Sequence, residues 1–181
     1  MSLHCENLNN GVIMLKSGGD ATMRRFIFIL VGVLMLCFSS VANANYPIYL
    51  NGDRNLILCD GHMGMAWYVD RTTLNVQKYE PPQYIITVNV VSASSAYNNE
   101  EDFYNGGKGK IKDVRRMRFF YNWDLRKMYI DTTGKDGWRL LSPNGSWAES
   151  GVVMPAGELA FYLAYNMKFY GCFGDEFYGR V

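Results

Sequence analysis

Four consecutive residues, Cys59-Asp60-Gly61-His62, bring a thiol, a carboxylate and an imidazole together. A cysteine nucleophile needs its histidine packed against the sulfur, and in known cases the two usually come from distant parts of a chain. Closeness along the sequence therefore reads first as a polar turn. As a metal site the motif offers two plausible ligands, fewer than zinc takes. Ser142, Ser146 and Ser150 lie in loops punctuated by Gly and Pro, and none sits in a G-x-S-x-G elbow. Asp131, Asp136, Glu149 and Glu158 are carboxylates whose spacing does not demand an acid–base pair. The expectation is no catalytic residue, no metal and no cofactor.

Binding chemistry has more to draw on. Lys108, Lys110, Lys112, Arg115, Arg116 and Arg118 crowd one short stretch that only Asp113 opposes. Such a patch could hold sulfated glycan, anionic lipid head groups or an acidic polymer. It could equally be a solvated loop and strand face balanced by Glu100–Asp102. Trp67 and Trp138 fall in strand-like segments and read as core. Trp123 and Trp147 fall in or beside turns and are the better candidates for aromatic contact with a partner, sugar stacking included.

Cys59 and Cys172 are the thiols that remain if the N-terminal segment is removed, and an exported chain with two thiols invites one disulfide. Closing so long a loop is worth at most roughly 4–5 kcal/mol by chain entropy. The alternative is two separate thiols, one buried and one near the tail.

The N-terminal part looks like an address. Met23-Arg24-Arg25 precedes the apolar run Phe26–Phe38, and Ala42-Asn43-Ala44 supplies a cleavage site between Ala44 and Asn45. The run is short for a membrane-spanning helix. Cys37 follows Leu36 where a lipobox wants a small residue, so it reads as part of the apolar run. Met1–Thr22 carries no hydrophobic period and reads as an over-extended start, with Met23 the expected initiator. After cleavage, setting aside Glu6, Lys16, Asp20, Arg24 and Arg25 leaves 15 charges of each sign, which argues against a nucleic-acid binder. All 13 tyrosines and 4 tryptophans lie in that remainder, a composition suited to half-exposed sheet faces.

The elements that must position these residues follow from periodicity. Short strands are expected at Tyr46–Leu50 and Asn55–Cys59, then at Met65–Asp70 and Leu74–Tyr79, with a break at Pro81-Pro82. Tyr84–Val91 is apolar on both faces and reads as central, with Tyr84, Ile86, Val88 and Val90 on one side. Ser92–Lys112 reads as a long mobile connection. Strands resume at Val114–Tyr121, Arg126–Asp131 and Trp138–Leu141. Val152–Cys172 reads as the one long helix, with Pro155 in its first turn, Glu158 near the positive end of the dipole, Ala160, Leu163 and Met167 on its apolar stripe and Gly171 as its cap. So apolar a helix should be covered by sheet, loop or a second subunit, which leaves a homodimer open. Phe173–Val181 reads as a tail tacked down by Phe177 and Tyr178 or else frayed. Strands first and a helix last, without βαβ alternation, give an α+β class: one domain over residues 45–171, an antiparallel meander against one C-terminal helix.

Trp67-Tyr68-Val69-Asp70-x-x-Thr73-Leu74, followed by a one-side-wet strand and a long apolar strand, resembles the surface-adhesin protein E-like family. Phe119–Asp131, Asp136–Glu149 and Met154–Gly171 resemble uncharacterised exported bacterial proteins related to it. The resemblance implies an antiparallel sheet packed with a helix, export in a bacterium with an outer membrane and, for the adhesin itself, binding to host matrix proteins. No binding residue carries over, because no adhesive segment matches residue by residue. The reading is an exported, non-enzymatic domain that binds a protein or an envelope or host-surface partner. A small periplasmic enzyme or inhibitor, or a subunit pairing through its helix, are the alternatives.

Overall fold

The alternation of Tyr84, Ile86, Val88 and Val90 with Ile85, Thr87, Asn89 and Val91 makes one long strand, and that strand organises the sheet. In the computed structural model, which describes residues 46–181, it is β3, Gln83–Ser95. It pairs with β2, Met65–Glu80, on one side and β4, Gly109–Asn122, on the other. β1, Leu56–His62, flanks β2; β5, Lys127–Asp131, and β6, Trp138–Leu141, follow β4. All pairings are antiparallel, each strand lies beside the next in sequence, and the sheet curls into a half-barrel. Met63 and Gly64, both at positive φ, close the β1–β2 hairpin as a two-residue turn requires.

Four helical segments accompany the sheet where the sequence suggested one: α1, Glu100–Tyr104; α2, Trp147–Ser150; α3, Val153–Tyr165; and α4, Asp175–Tyr178. Among the described residues no helix is long and apolar enough to cross a membrane. The expected strand Tyr46–Leu50 is not formed: Leu50 joins Asn51 and Gly52, where a turn was expected, in a 3-10 turn, and Tyr49 alone makes a β-bridge to β1, at Ile57. Met65–Asp70 and Leu74–Tyr79 are one strand. The register slips between Asp70 and Asn75, where the Asp70 carboxylate accepts from Thr72 N–H at 3.0 Å and the Thr73 hydroxyl accepts from Asn89 N–H at 2.8 Å.

Ser92–Lys112 is ordered rather than mobile. β3 runs on to Ser95, the Asn99 side chain caps α1, and Phe103 on α1 is fully buried. Ser95 Oγ accepts from the N–H groups of Tyr97 and Asn99 and turns the chain, and Glu100, Glu101 and Asp102 lie in the first turn of α1. Phe103 joins Tyr46, Leu50, Ala66, Tyr68, Val91 and Ala93 in a small core on one face of the sheet. The larger core lies on the other face, where α3 packs on Ile57, Val69, Ile86, Val88, Phe119, Tyr121 and Met128. β3 is therefore buried on both sides, as its sequence indicates.

α3 ends earlier than the expected Cys172. Asn166 takes the left-handed cap position, φ 53°, and its N–H reaches Tyr162 O at 2.7 Å, so the helix stops five residues before Gly171. The buried run is Ala156–Phe161; Leu163 is half-buried and Met167 exposed. Gly157 lets the helix lie close to the sheet: a Cβ there would sit 2.9 Å from Phe119 and closer still to the Met128 sulfur. Tyr121 fixes the approach by donating its hydroxyl to Gly157 O at 2.8 Å.

Glu158, expected near the helix dipole, is fully buried. Its carboxylate accepts from the N–H groups of Phe169 at 3.0 Å, Tyr170 at 2.6 Å and Gly171 at 3.1 Å, and from the Tyr178 hydroxyl at 2.7 Å. Burial, followed by this bond to Glu158, raises the Tyr178 pKa, so the phenol stays a donor. The tail is thus packed, with Tyr178 in the core, Tyr162 donating to Tyr178 O at 3.0 Å and the Tyr49 hydroxyl donating to Arg180 O.

Glu158→Gln leaves three backbone donors and a phenol facing one amide oxygen and an NH2. It should cost about 2–4 kcal/mol in denaturant unfolding. Gly→Ala inside a helix ordinarily gains about 1 kcal/mol, yet Gly157→Ala should destabilise because of Phe119 and Met128. A Glu158→Gln loss below about 0.5 kcal/mol, the size of a surface substitution, would contradict the buried clamp.

Candidate functional site

Strand alternation decides where the cations go. Residues paired across two strands share a face of the sheet. Arg115 pairs with Val90 and Asp113 with Ser92, on the α3 side. Arg116 pairs with Asn89 and Arg118 with Thr87, on the opposite side. The basic stretch is therefore divided between two faces. A register shift between Ser92 and Ala93 sets Lys112 beside Asp113 and Arg115.

On the second face Arg118 is committed to structure. It donates to Asp131 at 3.0 Å, to Asp136 at 2.6 Å and to Gln77 at 2.8 Å, and lies over the Trp138 ring at 4.8 Å. Burial would raise the Asp131 pKa, but backbone N–H groups of Thr133, Asp136 and Gly134 together with Arg118 outweigh it and hold it at about 2. Among the described residues Arg116 donates only to the Thr87 hydroxyl, at 3.4 Å. Lys108, Lys110 and Lys112 have no carboxylate partner among the described residues.

On the α3 side a cleft of about 510 Å³ opens between β2–β4 and the α2–α3 junction. Met65, Trp67, Val90, Met117, Trp147 and Val153 form its apolar walls, with Ser92, Lys112, Asp113 and Arg115 contributing polar groups. Arg115 Nε donates to Asp113 at 2.7 Å, and that hydrogen bond lowers the Asp113 pKa. Gly151 makes the junction possible: its backbone, φ 50° and ψ −145°, is one that side chains disfavour, and it turns the chain from α2 into α3.

The Cys-Asp-Gly-His motif proves to be strand rather than turn, and it holds the rim of this cleft. The register slips between Leu58 and Asp60, burying Cys59 and aligning Asp60 with Trp67 and His62 with Met65. Asp60 then accepts the Trp147 indole N–H at 3.0 Å, while the His62 ring lies 4.9 Å from the Trp147 ring. Trp147, 54% exposed, stands at the edge of the cleft as a fixed aromatic wall. Trp123 is half-buried, stacked on Phe161 at 5.6 Å with Arg126 over it at 4.2 Å, and belongs to the rim of the core rather than to an exposed contact.

Trp147 also borders a second cleft of about 320 Å³, lined by Cys59, Asp60, Ser150, Met154, Pro155 and Cys172 among others. The two thiols meet this cleft but are unbonded. Of the two readings of the cysteines, the structure has the second: Cys59 is buried and its sulfur donates to Trp67 O at 3.3 Å, whereas Cys172 is exposed. Burial raises the Cys59 pKa, which disfavours the thiolate that a cysteine nucleophile needs. Partial burial, then the charge of Glu158, pushes the Cys172 thiol up to about 11.

Among the described residues no group of three or more His, Cys, Asp or Glu could hold a metal ion. The residues around Ala44 and Asn45 lie outside the described part. The sequence singles out Lys112, Arg115 and Trp147 and reads Trp67 as core, and Trp67 does pack half-buried against the core; it gives no binding role to Met65, Met117 or Val153, and only pairing across β2–β4 brings these together. Comparison with protein-family profiles, with characterised proteins and with solved structures finds no match for the chain.

In the processed protein, which starts at Asn45 and carries only Cys59 and Cys172, two thiols per denatured chain should react with a maleimide without reductant. In the folded protein Cys172 should react first, its rate rising about tenfold per pH unit below its pKa of about 11 as thiolate accumulates. Absence of free thiol after denaturation would contradict the unbonded arrangement.

Proposed function

We infer that the chain is an exported binding domain of the cell envelope, non-enzymatic and adhesin-like, whose contact surface centres on the cleft beside Trp147. The observation that carries this reading is the cleft itself: apolar walls, an aromatic rim held in place by Asp60, and cationic side chains on one edge. Export rests on the Met23–Ala44 signal, with processing before Asn45. The resemblance to the surface-adhesin protein E-like family at Trp67–Leu74 supports the fold-level part, an α+β meander against a C-terminal helix, and a partner at the envelope or host surface.

The enzyme alternative draws on the same cleft between helix and sheet. It is the weaker reading because His62 lines neither cleft and Cys59, though at the edge of the second, is buried with its thiol donating to Trp67 O. Pairing through α3 has little to work with, since Ala156–Phe161 are buried within the chain.

The test is capture of envelope extract from the producing cell by the processed protein. Binding should weaken with salt, since screening acts over about 8–10 Å at ordinary ionic strength. Lys112→Ala with Arg115→Ala should reduce capture several-fold, and Arg116→Ala on the other face should leave it unchanged. Capture insensitive to the first pair, or a hydrolase activity abolished by His62→Ala, would overturn the reading.

A further inference from the structure

The cleft is chemically lopsided, and that lopsidedness selects a ligand. Seven of its side chains, Met65, Trp67, Val90, Met117, Trp147, Val152 and Val153, are apolar or aromatic. Its charged side chains all come from β4: Lys112 and Arg115 against Asp113, one net positive charge. Arg115 and Asp113 already bind each other at 2.7 Å, so the uncommitted charge is Lys112, on the exposed edge. A volume of about 510 Å³ lies within the range of small-molecule sites. The geometry points to a free single-chain alkyl anion, a fatty-acid-like carboxylate, with its chain against the methionine and tryptophan walls and its head at Lys112.

Each alternative leaves something unsatisfied. A sugar would bring hydroxyls to walls whose one neutral polar side chain is Ser92, leaving most of them without partners. A neutral hydrocarbon makes no use of Lys112. A cation meets the net positive charge. Met65 and Met117, unbranched and polarizable, can repack around chains of different length, which suits an alkyl chain better than a rigid ring system. Trp147 is pinned from outside the cleft by Asp60 and His62, so its ring is oriented before any chain arrives.

This inference rests on the cleft being the contact surface, and it is tested with dodecanoate by calorimetry on the processed protein at low salt. The comparators are dodecanol, dodecyltrimethylammonium and vesicles of anionic phospholipid. Dodecanoate should bind saturably at one site, more tightly than either comparator amphiphile. Lys112→Gln, an exposed substitution that leaves the fold intact, should weaken dodecanoate about fivefold, the size of one solvent-exposed charge pair, and leave dodecanol unchanged. Trp147→Ala should weaken both amphiphiles alike. Equal binding of dodecanol or of the ammonium amphiphile, indifference to Lys112→Gln, or binding to vesicles alone would overturn the inference. No dodecanoate binding with envelope capture still sensitive to Lys112 and Arg115 would overturn this inference by itself; loss of both would overturn the binding reading too.

Discussion

The carboxylate of Glu158 has to be satisfied where it is buried, and much of the structure is arranged to do so. A charge removed from water is tolerated only when its oxygens are filled with donors. Glu158 draws three consecutive N–H groups of Phe169–Gly171 and one phenol onto the same side chain. The chain must therefore leave the helix at Asn166 and fold straight back. From there Tyr170 reaches the outer strands, its hydroxyl accepting from Met128 N–H at 2.9 Å and donating to Leu141 O at 3.1 Å. Tyr178 brings in the C-terminal segment, and Tyr49 ties that segment to the start of the described chain. One side chain thus couples helix, both flanks of the sheet and tail.

That coupling reaches the cleft. Val152 and Val153 sit where α3 begins, and they form the wall facing β2–β4. Clamping the helix near its middle by Glu158, with Gly157 pressed on Phe119 and Met128, fixes the position of that wall. The opposite rim depends on β1, where the slip at Cys59 turns Asp60 toward the Trp147 indole. The cleft is held from two sides by groups that do not line its interior, the arrangement a preformed binding site needs.

Local signals were legible in the sequence and tertiary ones were not. The period of Tyr84–Val91, the strand at Trp138–Leu141 and the break at Pro81-Pro82 depend on near neighbours, and they can be read from side-chain type. Glu158 reads as a dipole partner because its donors lie 11–20 residues further on and three of them are backbone groups with no sequence signature. Gly171 reads as the helix cap because glycine is the usual left-handed residue, yet Asn166 reaches that conformation first. α1 is five residues long, too short to show a period. The six cations read as one patch because a run of charge hides the two-face alternation that a strand imposes. The cleft joins β2, β3, β4, α2 and α3, and neither its walls nor its lopsided charge can be seen before those elements are brought together.

The Glu158 carboxylate locks Phe169–Gly171 into the folded core. Native-state amide hydrogen exchange tests it most directly, because three named amides either share the protection of the core or do not. The amides of Phe169, Tyr170 and Gly171 should exchange as slowly as those of β3 and open with the whole domain. Exchange at the rate of an exposed turn such as Gly134 would contradict the account.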